Sequence, residues 1–207
     1  MERILVIGAG GHAREVLDVV EALGPARVHV VAEGLPESDG VSVYGYDVLG
    51  GLEALAAHAG WGYVVAIGDG AARSRLARAA EAAGCLPLTL VHPSASVARR
   101  ARLGPGSVLL HGARVTSDAC LGEHVHVNLN ATVAHDCSVG SFSTISPGAH
   151  LSGGVRTGQR AWVGSGAVVR ERVALGDDVV VGAGAVVLGN VPDRTVVVGI
   201  PAHPLAR

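Results

Sequence analysis

Two places in the chain carry residue types and spacings that can do chemistry. The first is the stretch VAHDCSVG, Val133–Gly140, where His135 and Asp136 stand side by side among valines, glycines and small residues. A histidine titrates near neutrality and can take a proton from a reacting group, while an adjacent carboxylate can fix its tautomer and stabilise the imidazolium. The bland alternative is a polar corner histidine bonded to solvent. The second is Gly8-Ala9-Gly10-Gly11-His12-Ala13, which follows an apolar run and opens a helical pattern, a place where backbone amides and the helix dipole receive phosphate. Read as G-x-G-x-x-A with Glu33 downstream, it also fits a dinucleotide fingerprint, although about ninety residues make only half of that fold.

The elements that must position these residues fall into two halves. From Ile4 to about Leu90, short apolar runs such as ILVI, VHVVA and YVVAI alternate with helical patterns, which predicts β/α alternation around a mostly parallel sheet. From Val91 the period changes to six. Seventeen consecutive hexads, from Val91 to Val187, begin with Val, Ile or Leu, with Thr157 the single departure. Four residues after each start lies a small or β-branched residue. One register held for about a hundred residues means a solenoid of fixed geometry. Three hexads per coil give a triangular prism, the left-handed parallel β-helix, in which residues eighteen apart stack. The expected architecture is an N-terminal α/β Rossmann-like domain over residues 1–90 followed by a left-handed parallel β-helix over 91–207.

Composition fits a narrow, repetitive core. The 207 residues include 30 Gly but only one Phe, two Trp and three Tyr, so the interior is built from small aliphatic side chains. A net charge of −2 with no long basic run gives nucleic-acid or membrane-surface binding little support. Cys85, Cys120 and Cys137 are odd in number and form no C-x-x-C pattern, so neither a disulfide framework nor a zinc ribbon is indicated, and a reducing cytoplasm is expected. The run Ile4–Ile7 is too short, and too soon followed by His12, Arg14 and Glu15, for a signal peptide or membrane span.

Five motifs in order, VIGAGGHA, VAIGDG with Arg73, LVHPSA, AHDC and VGIPA, make the whole chain resemble one branch of the hexapeptide-repeat acyltransferases. That branch acetylates nucleotide-linked amino sugars, such as the UDP-bacillosamine precursor and GDP-perosamine, and is related to the sialic-acid O-acetyltransferases. The resemblance implies an acetyl-CoA-dependent N-acetyltransferase that needs no metal and forms no acyl-enzyme. It implies His135 as general base, Asp136 as its orienting partner and the Gly153 amide as a contact of the thioester carbonyl. Gly164 and Gly182 are expected along the pantetheine path, with Arg170 and Arg172 as possible phosphate partners. Many relatives carry a second histidine nine residues beyond the first, near the acetyl-CoA thiol; Thr144 stands there. Gly10, Gly11, His12, Gly68, Asp69 and Arg73 match nucleotide-sugar contacts, and Asn128 matches a sugar contact. Relatives often carry an acidic pair after the second strand, whereas VVAEGLPES offers Glu33 alone at that point.

Other readings stay open. Gly10 and Gly11 also fit simple turn formers, Arg73 a solvated helix cation and Asn128 a corner residue. His111, His124, His126 and His150 have no adjacent acid and default to solvated or interface histidines. The competing functions are O-acetylation of a sialic-acid-type sugar, a non-catalytic sugar-nucleotide-binding homologue, and a prism-type carbonic anhydrase, which needs three converging histidines and commonly an H-x4-H pair that does not occur here. The expected assembly is a homotrimer, with three prisms side by side and His135 of one chain against the solenoid of the next.

Overall fold

The computed structural model describes residues 2–33 and 42–205. In the N-terminal half, strands β1 (Glu2–Ile7), β2 (Ala26–Val31), β5 (Gly62–Val65) and β6 (Leu86–Pro87) form one parallel sheet in the order β2-β1-β5-β6. Between β2 and β5, the short strands β3 (Ser42–Val43) and β4 (Tyr46–Asp47) pair as a hairpin. Helix α1 (Gly11–Leu23) presents Ala13, Val16, Leu17 and Val20 at helical spacing, and all are buried against the sheet. Helix α2 (Gly70–Ala82) does the same with Leu76, Ala77 and Ala80, and the Asp69 carboxylate caps it by accepting from the Ala72 amide at 2.7 Å. The alternation read from sequence is therefore present, with a parallel sheet between two helices.

From Leu90 onward the chain winds as a left-handed parallel β-helix of two-residue strands. Its first face stacks the strands at Leu90, Val108, His126, Thr144, Trp162 and Val180; the second stacks those at Ser96, Arg114, Thr132, His150, Val168 and Val186; the third those at Arg102, Cys120, Ser138, Arg156 and Ala174. Each pairing joins residues eighteen apart, as in His126 with Thr144 and Thr132 with His150. Val196–Val198 pairs with the first face, and His203–Pro204 closes that sheet antiparallel.

Hexad starters such as Val115, Val127, Val133, Ile145 and Val163 fill the prism, each worth about 1.5–3 kcal/mol of burial. The small residues four places on complete the core, and where they are polar they find a carbonyl in the next coil. Ser107 donates to Gly122 O at 3.2 Å, Cys137 to Ser152 O at 3.1 Å and Ser143 to Gly158 O at 3.1 Å. Thr157 is tolerated in the core row because its hydroxyl accepts from the Gly140 amide and donates to Gly158 O. At the fourth hexad position the chain turns through the left-handed region. Gly148, Gly154 and Gly166 hold that conformation freely, while Asp118, His124, Asn130, Asp136, Phe142, Arg160, Arg172 and Asp178 are held in it by the ladder.

The two halves meet on the first face. Leu90, Val108 and Leu110 point outward from the prism and pack with Val16, Val20 and Ile4 in one cluster, and Phe142 packs against the cluster of Tyr63 and Leu76.

Candidate active site

Three corner ladders run along the prism. His135 and Asp136 lie on the one between the second and third faces, which carries Asp118, Asp136, Gly154 and Arg172. The turn is fixed by Asp136 N donating to Ser117 O at 3.1 Å and Gly154 N donating to His135 O at 2.8 Å. Asp136 adopts φ 60°, a conformation that Asp and Asn accept more readily than most residues. Its Oδ2 lies 2.8 Å from His135 Nδ1, and both side chains are 67% exposed. A carboxylate accepts only, so Nδ1 carries the hydrogen and Nε2 is left as the basic nitrogen of a neutral ring. That nitrogen sits over Gly153, where a Cβ would stand 2.6 Å from both Nε2 and Cε1 of His135. A side chain at 153 would therefore have to push the exposed His135 ring from the position it holds. Among the described residues no backbone carbonyl accepts from the Gly153 amide, which leaves a free donor in the residue beside the ring. Cys137, the next residue, is buried, and burial pushes its thiol above the usual range.

A second group of residues gathers where the N-terminal domain meets the first face. The carboxyl ends of β1, β2 and β5 surround a cavity of about 450 Å³ lined by Ile7, Gly8, Ala9, Ala32, Glu33, Val43, Ile67 and Leu76, the position where open parallel sheets receive ligands. Gly8 adopts φ 128°, and a Cβ there would lie 2.9 Å from Ala66 O, so β1 and β5 approach too closely for a side chain. Cβ atoms at Gly10 and Gly11 would meet nothing within 4 Å, and no side chain caps α1, so the turn offers open backbone beside the cavity. Gly68 and Asp69 form the neighbouring turn, with Gly68 against Trp162 of the prism. At the rim Glu33 makes a two-pronged ion pair with Arg75 at 2.7 and 2.6 Å. The rest of the segment expected to hold an acidic pair, Gly34–Ser38, lies outside the described residues.

Three expectations change here. Arg73 is not the solvated helix cation that one reading allowed. It is fully buried, and its guanidinium donates to the carbonyls of Ile67, Gly68, His124, Phe142 and Ser143 and to Thr144 Oγ1, at 2.6–3.0 Å. Burial presses its pKa down to about 9, which leaves it a cation at neutral pH that clamps the two halves together. Thr144 belongs to the same clamp: it is 3% exposed and its hydroxyl donates to Gly68 O at 2.8 Å. His124 and His126, expected in solvent or at an interface, are each 1% exposed in the contact between the halves. His124 stacks on Phe142 and Tyr63, and desolvation lowers its pKa to about 4. The readable signal was the outward row itself, because Leu90 and Val108 are apolar where the other faces carry Ser96, Arg114 and Arg102, which marks the first face as covered.

The remaining candidates divide between the two places. Asn128 lies on the first face, 5% exposed, with Nδ2 donating to Ile145 O at 3.0 Å. Gly164 and Gly182 continue the same outward row above it, but their amides already donate to Val181 O and Val197 O, so they offer close approach and no free donor. His12 uses both ring nitrogens, on Glu15 and His126. One chain therefore brings Gly10, Gly11, His12, Gly68, Asp69 and Asn128 together on its first face and keeps His135, Asp136 and Gly153 on the opposite corner of the triangle.

Residues 3–80 match the PglD N-terminal domain and residues 154–189 the bacterial transferase hexapeptide family of six repeats. Among solved structures, the acetyltransferase domain of PglB from Neisseria gonorrhoeae FA1090, in complex with acetyl coenzyme A, is 38% identical with a TM-score of 0.91, over 99% of this chain and 99% of that one. A mutant perosamine N-acetyltransferase from Caulobacter crescentus, in complex with CoA and GDP-perosamine, is 34% identical with a TM-score of 0.95, over 100% of this chain and 98% of that one. WeeI from Acinetobacter baumannii AYE is 30% identical with a TM-score of 0.91, over 99% of this chain and 100% of that one. A search of curated sequences returned no match.

Proposed function

This chain belongs to the hexapeptide-repeat sugar acyltransferases, and on that premise we propose that it moves the acetyl group of acetyl-CoA to the amine of a nucleotide-linked amino sugar. The observation that carries the reading is the His135–Asp136 pair, with its ring against Gly153. The amine attacks the thioester carbonyl, His135 Nε2 takes its proton, and Asp136 stabilises the resulting imidazolium. The Gly153 amide donates to the oxyanion. Collapse breaks the C–S bond, and the proton held by His135 goes to the departing CoA sulfur. His135 attacks nothing itself, and no acyl-enzyme forms.

Residues 1–90 act as the acceptor domain, with the nucleotide over the cavity at the sheet ends, its phosphates at the Gly10–Gly11 turn and the sugar toward Asn128. Gly164 and Gly182 leave room for pantetheine. Since acceptor and base lie on opposite sides of one prism, the site is shared: the His135 corner of one copy meets the first face of the next, and three such contacts close a ring. Three free cysteines support a reducing cytoplasm as its location.

Thiol release from acetyl-CoA, measured against a panel of nucleotide amino sugars, tests the activity. Binding of those sugars, seen as a raised Tm, without any thiol release would replace the enzyme with a non-catalytic binding protein. Sedimentation should give a trimer, and a fully active monomer would end the shared-site reading. Mixing His135→Ala chains with Asn128→Ala chains should restore part of the activity that each lacks alone.

A further inference from the structure

The contact between the halves holds a chain of three side chains that acyl transfer does not use. His12, in the first turn of α1, places Nδ1 3.1 Å from Glu15 Oε2 and Nε2 3.0 Å from Nδ1 of His126. Glu15 is 40% exposed, and its carboxylate only accepts, so Nδ1 of His12 carries the hydrogen. Desolvation lowers the pKa of both rings and keeps them neutral. A neutral His12 then has a bare Nε2, which accepts from Nδ1–H of His126. The order of donors is thus fixed from the surface inward, Glu15 setting His12 and His12 setting His126.

The inner end supports this order. His126 Nε2 is buried and has no hydrogen-bond partner among the described residues. Among the described residues the bond to His12 is therefore the only polar hold on the His126 ring, and it joins the prism to the turn that carries Gly10 and Gly11. Without it, the turn is attached to the prism through apolar packing and through the Arg73 clamp on the other side.

We propose that Glu15 and His126 are positioning residues for acceptor binding, which lock His12 and His126 as Nδ1–H tautomers and pin the Gly10–Gly11–His12 turn to the first face of the prism. The inference rests on the reading of that turn as the acceptor's phosphate site, but its first test does not. In the full chain with ¹⁵N-labelled histidine, both His12 and His126 should show the Nδ1–H tautomer near neutral pH, and Glu15→Gln should loosen that preference in both rings. His126 found as the Nε2–H tautomer in the unaltered protein would overturn the proposal.

The kinetic test uses a rescue. His126→Leu should raise the acceptor KM about tenfold, the worth of one hydrogen bond, and leave the acetyl-CoA KM within about twofold. His126→Gln, whose amide can still donate to His12 Nε2, should recover most of that loss, whereas a purely structural role would not separate Leu from Gln in this way. Equal effects of the two substitutions, with equal thermal stability, would also overturn it. If the unaltered chain acetylates no nucleotide amino sugar, the functional reading fails by itself, and the tautomers and the nucleotide affinity of the same variants still decide the relay.

Discussion

His135 and His124 occupy neighbouring positions on equivalent corners of one prism, and they are opposite in character. His135 precedes a left-handed residue, Asp136 at φ 60°, and His124 is itself such a residue at φ 51°. The first is open to solvent and paired with a carboxylate; the second is 1% exposed, stacked between aromatic rings and held neutral. The same backbone ladder therefore serves two purposes, and what decides between them is which corner the N-terminal domain covers. A solenoid repeats its geometry but not its environment.

The sharpest way to separate the two corners is to remove the histidine that faces solvent. His135→Ala should cut turnover by roughly 10²–10⁴ while thermal stability and CoA binding stay near those of the unaltered protein. Unchanged turnover would falsify its role as base. Asp136→Asn, which keeps the turn because Asn also accepts a left-handed φ, should cost about tenfold and leave the melting curve alone.

On the covered side the expected response is in stability. Arg73→Met should lower it by about 3–5 kcal/mol, because buried carbonyls lose a charged donor, and it should expose the junction between the halves to proteolysis. An Arg73→Met protein that melts normally but has a raised acceptor KM would return Arg73 to the substrate site.

Acid should divide the corners further. Burial depresses the pKa of His124 from 6.5 to about 4, and those of His12 and His126 also fall. Between those limits the unfolded chain binds a proton that the folded chain resists, so stability is fully present above about 6.5 and declines as pH falls toward about 4. His124 alone accounts for up to about 3 kcal/mol across that window. Denaturant midpoints measured from pH 7 to pH 4 should drop steadily, and His124→Gln should flatten the curve.

The smallest effect is expected at the glycine beside the base. Gly153→Ala should displace the His135 ring and lower turnover about tenfold, with a change in stability within about 0.5 kcal/mol because the site is open. Full activity would mean that the ring does not work in the position it holds over residue 153.

Much of this is legible in the order of the amino acids. The hexads set the stacking of residues eighteen apart, so the neighbourhood of His135 and Gly153 follows from counting, and the apolar runs of the first half give its parallel sheet. These are periodic, local signals, and each repeat restates them. The role of Arg73 is not legible in that way, because an arginine on a helix has the same sequence signature whether it meets water or five buried carbonyls. Thr144 escapes for the same reason, since its hydroxyl is consumed by a residue seventy-six positions away. What the sequence determined by itself was the prism, its register and the corner that carries the histidine and its acid. Which face the N-terminal domain covers was decided by the tertiary structure, because docking depends on contacts between segments far apart in the chain, and burial then sets the charge, tautomer and partners of every side chain beneath it.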